Sequence, residues 1–422
     1  MVVRVFLKIL HEGVLNSYLT MRFCRISSSP MSLIPERIAE SSASAYFSRI
    51  GEIYGGEKDA FLINPFWSKQ QRAAAETLIR LYSEKKSTGT PGKIFIASGG
   101  SGGRIRFIAH TPETLEASAR ALIAALNLPS GVPLNGFVCL PPWHVSGLMP
   151  WVRSRVSGGK IFVAENGSFR EDEILPEFRK NSGEFWMNSL VPTQLARLLK
   201  RPAGIAWLKK FDFILLGGAR VPAELIARAK EEGLNFGIGY GMTETASLVA
   251  LWRPQDGEML AGTPLPHAKF FLTPDSRIAI EASSLGETLN ENGEILPNPA
   301  GRFFTNDEGK IDADGRVIVI GRADRYINSG GEKTDPVLVE NVLRAAGAQD
   351  ALVIGEPDPE WGERVVALVK IPVPENLIEK IKKDLPPWML PKRLIGVPAL
   401  PFDAKGKLDR EKLNALLAGN PA

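Results

Sequence analysis

From Lys93 to Leu216 the chain alternates between two hydrophobic periods, and that alternation constrains its fold more than any other feature. Short β-branched or aromatic runs, Lys93-Ile-Phe-Ile-Ala97, Phe137-Val-Cys-Leu140, Lys160-Ile-Phe-Val-Ala164 and Phe211-Asp-Phe-Ile-Leu-Leu216, read as buried strands separated by helical stretches. The best-marked helix is predicted from Pro112 to Leu126. Thr111 is its N-cap, Pro112 takes the first helical position, and Glu113 sits near the positive end of the dipole. Leu115, Ala119, Leu122 and Leu126 form a stripe that can pack on a sheet. The class expected is therefore α/β, with sheets and helices in layers. Near residue 324 the pattern changes to a smaller α+β unit. A helix opens at Asp335-Pro336 and stops at Gly347, strands follow near Ala351 to Ile354 and Arg364 to Ile371, and a polar, Pro-rich tail ends the chain. The expected division is 1–30 as a frayed or mis-started segment, 31–323 as a large domain and 324–422 as a small C-terminal domain.

Composition narrows the function. The net charge is +4, of which residues 1–30 supply +3 through Arg4, Lys8, Arg22 and Arg25 against Glu12, so no basic face remains for nucleic acid. No stretch is long and apolar enough to span a bilayer, and membrane insertion is not expected. Lys8 interrupts the apolar start and no small-residue cleavage site follows, which argues against a signal peptide. Two cysteines, Cys24 and Cys139, cannot form a disulfide framework, and a reducing cytoplasm fits best.

Two glycine-rich segments carry chemistry. In Ala97-Ser-Gly-Gly-Ser-Gly-Gly103, the glycines Gly99, Gly100 and Gly102 let the backbone curl so that N–H groups and the Ser98 and Ser101 hydroxyls can face phosphate oxygens. Arg104 and Arg106 add positive charge. The loop lacks the Gly-Lys-Ser/Thr ending of a Walker A motif, and Ile105-Arg-Phe-Ile-Ala109 continues it as a strand, so by itself it can equally be a surface hairpin. Ile238-Gly-Tyr-Gly-Met-Thr-Glu-Thr245 sets an aromatic ring, a hydroxyl and a carboxylate within a few residues. Tyr240 can pack against a flat base beside Gly241, Thr243 can donate to a phosphate, and Glu244 can hold Mg2+ through oxygen.

With these motifs in this order, the chain resembles the adenylate-forming family of acyl-CoA ligases, luciferases and peptide-synthetase adenylation domains, from about residue 93 to its end. The resemblance implies ATP and Mg2+ as cofactors, coenzyme A as co-substrate, and a mobile small domain. Phe304-Thr-Asn-Asp307 is similar to the family's Thr-Gly-Asp, which implies that Asp307 binds the ribose hydroxyls; Asn306 replaces the glycine. Gly321-Arg-Ala-Asp324 is similar to Gly-Arg-x-Asp, implying that Arg322 contacts ribose or phosphate and that Asp324 is the hinge. Ser329-Gly-Gly-Glu-Lys333 resembles the loop that approaches coenzyme A, which assigns Gly330 and Gly331 there. Lys405-Gly-Lys-Leu-Asp409 resembles Ser-Gly-Lys, so Lys407 is implied to reach the reacting carboxyl and α-phosphate. Leu216-Gly-Gly-Ala219 resembles the loop near the acyl and adenine sites, where Gly218 permits close approach.

The usual Pro-Lys-Gly after the phosphate loop is absent. Its replacement, Ile-Arg-Phe-x-x-His-Thr ending at Thr111, resembles a subgroup of o-succinylbenzoate:CoA ligases of menaquinone and phylloquinone biosynthesis. Leu140-Pro-Pro-Trp-His-Val-Ser-Gly-Leu148 is similar to the segment that lines the family's acyl site, with His144 beside the carboxylate's approach. An arginine at the spacing of Arg153 is implied to bind the second carboxylate of o-succinylbenzoate, with Ser146 assisting. Another acyl- or aryl-CoA ligase, or a non-catalytic nucleotide-binding relative, stays open on sequence alone, as does a homo-oligomer.

Overall fold

A computed structural model describes residues 36–40, 42–67, 69–86, 91–99, 105–129, 131–164, 169, 173–219, 221–256, 261–322, 326–329, 332–358, 362–402 and 408–419. Among them no helix is long and apolar enough to cross a membrane.

The largest sheet has eleven strands and two halves of different origin. Its parallel half runs in spatial order Phe236–Met242, Phe213–Leu216, Phe185–Leu190, Leu134–Val138 and Ile161–Val163. Its antiparallel half continues from Ser247–Trp252 through Ala261–Pro264, Val317–Arg322, Phe303–Ile311 and Arg277–Ala282 to Ala268–Leu272. The chain leaves Leu134–Val138 for the edge strand Ile161–Val163, then returns to Phe185–Leu190 on the other side, so the winding direction reverses between two neighbouring parallel strands. Such a switch point opens a crevice at the carboxyl ends of the strands.

A six-stranded sheet is formed by Glu36–Ile38, Ala60–Leu62, Ile94–Gly99, Ile105–His110, Glu287–Leu289 and Ile295–Leu296. The expected helix forms at Pro112–Ala125, with the Thr111 hydroxyl accepting from Thr114 N–H. Its predicted face buries Leu115, Ala119 and Leu122, while Leu126 is half-buried as the C-cap. Burying each leucine contributes about 2 kcal/mol. Leu115 and Ala119 join the core shared with the helices Ala43–Ile53 and Val145–Ser157, whereas Leu122 packs with Leu134, Met187 and Phe213. The helix thereby ties the two sheets together. Cys139, expected within a strand over Phe137 to Leu140, lies one residue beyond the observed strand Leu134–Val138 and is buried as expected.

The last sheet joins Glu332–Thr334, Ile327–Ser329, Gly362–Lys370, Ala351–Asp358 and Arg393–Val397. Asp335 caps the helix Pro336–Ala345 through Val337 N–H, and Gly347 sits at φ 107° just beyond it. The tail differs from its sequence reading. It contributes the helix Leu377–Ile381, the parallel strand Arg393–Val397 and the helix Arg410–Leu417. These elements are short and flanked by proline and lysine, and Val397, Leu413 and Leu416 become core against Val366 and Leu368 of the strand Gly362–Lys370.

Candidate active site

The glycine-rich octet ends the strand Phe236–Met242 and turns through a short 3-10 segment, Thr243–Thr245. The turn is tightly determined. A Cβ on Gly241 would stand 1.6 Å from Ser247 O, so no other residue fits there without moving the backbone. Ala246 and Ser247 both hold positive φ, 51° and 80°, at a cost of about 1 kcal/mol or more each. Thr245 Oγ1 ties Met242 to Ser247: it accepts from Met242 N–H at 3.0 Å and donates to Ser247 O at 2.7 Å.

That turn presents Glu244. Its carboxylate is 9% exposed, and Oε1 accepts a 3.0 Å hydrogen bond from the Ser98 hydroxyl. No lysine or arginine among the described residues pairs with it. Ser98 stands opposite Arg106 in an antiparallel strand pair, which brings the start of the glycine-rich segment beside Glu244. Gly99 lies in that strand, whereas Gly100, Ser101, Gly102 and Arg104 lie outside the described residues. No group of three metal-ligating side chains occurs among the described residues. Mg2+ needs none, because it commonly takes one or two carboxylates and completes its shell with substrate phosphate and water. A buried carboxylate with a hydroxyl partner and no countercharge fits such an ion.

On the neighbouring strand position, the Tyr240 hydroxyl donates to Asp307 Oδ2 at 2.6 Å. Burial, and then the adjacent Asp307 carboxylate, hold the phenol well above its usual range, so it stays protonated. Asp307 is 8% exposed, and its backbone N–H donates to Thr305 Oγ1 at 3.0 Å. Arg322 pairs with Asp307 across the strands Phe303–Ile311 and Val317–Arg322, with Nη1 3.9 Å from Oδ1. The replacement of glycine by Asn306 leaves Asp307 in place. Gly218, at φ 82°, follows the strand Phe213–Leu216 at the same carboxyl-end edge.

The acid-side residues sit on the helix Val145–Ser157, which begins where the chain leaves Leu134–Val138 at the switch point. His144 occupies the N-cap position, but its side chain makes no cap hydrogen bond; it is half-buried beside Trp143 with ring centroids 6.3 Å apart. Ser146 is half-buried, about two helical turns before Arg153. Arg153 is 1% exposed, its Nε has no hydrogen-bond partner among the described residues, and its Nη2 donates weakly to Ser247 Oγ at 3.4 Å. No carboxylate pairs with it there, and burial lowers its pKa to about 9. Ser247 lies three residues beyond Glu244, so one turn joins the candidate metal ligand to the buried cation.

Lys407, Asp324, Gly330 and Gly331 lie outside the described residues. The sequence left His110, Ser118 and Ser247 without roles. His110 ends the strand Ile105–His110, fully buried, with Nε2 2.8 Å from Thr243 O and Nδ1 3.1 Å from Thr114 Oγ1. Burial lowers its pKa to about 4, so the ring is neutral at pH 7. A histidine just ahead of a capping threonine was the available signal, but its partner on the octet is 133 positions away.

The family model described as AMP-binding enzyme matches residues 95–296, and that described as AMP-binding enzyme C-terminal domain matches residues 339–407. The 2-succinylbenzoate–CoA ligase of Salmonella typhimurium is 32% identical over 327 residues, which span 76% of this chain and 68% of that protein. The probable 2-succinylbenzoate–CoA ligase of Mycobacterium tuberculosis is 30% identical over 322 residues, spanning 73% and 80% respectively. Among solved structures, the Bacillus subtilis o-succinylbenzoate CoA synthetase in complex with its acyl-adenylate intermediate superposes with a TM-score of 0.71 at 21% identity, covering 90% of this chain and 87% of that one. An anthranilate CoA ligase in complex with anthranoyl-AMP gives a TM-score of 0.72 at 16% identity, covering 92% and 89%. At these identities the structural likeness concerns the fold.

Proposed function

This chain belongs to the AMP-binding enzyme family, and from that membership we propose that it is an ATP-dependent ligase converting 2-succinylbenzoate (o-succinylbenzoate) to its coenzyme A thioester through an acyl-AMP, a step of menaquinone or phylloquinone biosynthesis. The observation that carries the substrate is Arg153. A guanidinium buried to 1% exposure with no carboxylate partner among the described residues is costly unless a ligand supplies the anion, and an acid with a second carboxylate does so.

In the first half-reaction a carboxylate oxygen of the acid attacks the α-phosphorus of ATP, and pyrophosphate leaves. Arg153, helped by Ser146, holds the second carboxylate and so aims the first past His144 toward the carboxyl ends of the parallel strands. The ribose hydroxyls fall to Asp307, kept in place by Tyr240 and flanked by Arg322. Ser98, Gly99, Gly100, Ser101 and Gly102 donate to the phosphates, Thr243 adds a hydroxyl, Gly218 leaves room for nucleotide and acyl group, and Gly241 lets the turn close tightly beside Tyr240 at the nucleotide site. Glu244 would hold Mg2+, which when bound would offset the negative charge gathering where two anions meet. Lys407 approaches the reacting carboxyl and α-phosphate. In the second half-reaction the coenzyme A thiol, losing its proton, attacks the acyl carbon and AMP leaves. Before that attack, residues 324–422 turn as a unit against 31–323 about Asp324, withdrawing Lys407 and bringing Gly330 and Gly331 toward the thiol.

The reading extends to a cytoplasmic enzyme whose partners are small molecules, without nucleic acid or membrane insertion; self-association is compatible with it. Pyrophosphate release measured across an acid panel tests the substrate. 2-Succinylbenzoate is expected to exceed benzoate and fatty acids in kcat/KM, and either of those running faster refutes the assignment.

A further inference from the structure

The turn that carries Glu244 is held from outside at three of its carbonyls. Thr243 O faces His110 Nε2 at 2.8 Å, Glu244 O accepts from Gly286 N–H at 2.9 Å, and Ala246 O accepts from the Ser118 hydroxyl at 2.7 Å. His110 and Gly286 act together, because a Cβ on Gly286 would stand 2.6 Å from His110 Cε1. The ring's tautomer follows from its partners. A carbonyl oxygen only accepts, so the neutral ring carries its proton on Nε2 and donates it to Thr243 O. Nδ1 then faces the Thr114 hydroxyl at 3.1 Å, whose single proton is shared between Nδ1 and Thr111 O at 3.0 Å. Thr114 is itself fixed by reciprocal hydrogen bonds with Thr111, which joins the ring to the first turn of the helix Pro112–Ala125.

We propose that His110 is a positioning residue for metal binding: through the Thr243 carbonyl it sets the direction of the Glu244 carboxylate, and so the affinity for the magnesium complex of ATP. It touches neither ATP nor the acid. The inference rests on Glu244 as the metal ligand, and not on which acid the enzyme uses. Its neighbourhood supports the role, since Ser98 fixes one carboxylate oxygen while His110 and Gly286 fix the backbone on each side of the Cα.

The test compares His110→Gln with His110→Asn. A glutamine amide nitrogen can take the place of Nε2, whereas asparagine reaches only the Nδ1 position and leaves Thr243 O without its donor. Binding of ATP to the whole protein is measured by calorimetry with and without Mg2+ and with no acid present. In His110→Asn the Mg2+-dependent gain in ATP affinity is expected to fall about tenfold or more, with metal-free affinity unchanged, while His110→Gln stays within about threefold of wild type. An unchanged Mg2+ gain in His110→Asn overturns the proposal, as does an equal loss in both variants. Should His110→Asn fail to fold, Thr114→Val keeps the ring but frees its orientation; a wild-type Mg2+ gain there refutes the role. Failure of 2-succinylbenzoate in the acid panel would leave this acid-free measurement untouched.

Discussion

Replacing Arg153 with Met separates a binding cation from a structural one. At pH 7, below both the ordinary value and the folded value of about 9, the side chain is charged in the folded and unfolded chains alike, so its burial costs stability. The penalty is relieved only as pH rises through about 9. A drop from 12.5 to about 9 corresponds to roughly 4 to 5 kcal/mol as an upper bound. Part of it is offset by the packing of the aliphatic stem, which methionine largely keeps. The variant is therefore expected to melt no lower than wild type in the absence of ligand. Substrate shows the opposite sign. Removing one partner of a buried charge pair costs about 2 to 5 kcal/mol, which lowers kcat/KM for 2-succinylbenzoate roughly 30- to 5,000-fold. An acid without the second carboxylate, such as benzoate, should change by less than about threefold. Pyrophosphate release with both acids and a thermal melt of the ligand-free protein decide it. A lower melting temperature combined with equal losses for both acids would refute the reasoning, because it would make Arg153 part of the core rather than half of a pair completed by substrate.

Two further outcomes follow from the octet. Glu244→Gln preserves the shape that meets the Ser98 hydroxyl but removes the charge, so adenylation should fall by about a hundredfold or more and need higher Mg2+, as read from a Mg2+ titration of pyrophosphate release. Gly241→Ala places a methyl group 1.6 Å from Ser247 O, and because that atom is backbone the turn itself must open. MgATP binding measured by calorimetry should fall by at least tenfold, and an alanine variant that binds normally would show that the turn is less constrained than its geometry implies.

The motifs themselves were legible because each is made by interactions a few residues long. Thr111-Pro112 and Asp335-Pro336 start helices wherever they stand, since the caps satisfy their own N–H groups. The glycines of the octet announce a tight backbone regardless of what surrounds it. From such units the layered α/β plan and the order of Ser98, Tyr240, Glu244 and Asp307 could be read. The tail could not: Arg393–Val397 has too few residues to show a period, and it is a strand because Gly362–Lys370 presents an edge to it.

Folding alone decided the pairings. Ser98 meets Glu244 across 146 positions, His110 meets Thr243 across 133, Arg153 meets Ser247 across 94 and Tyr240 meets Asp307 across 67. Whether an arginine is a solvated surface charge or a buried cation awaiting a carboxylate depends on what covers it, and covering is a property of chain return rather than of neighbours in sequence. Arg153 is covered because its own helix, Val145–Ser157, packs on the sheet at the switch point, and that placement leaves an ordinary residue 1% exposed.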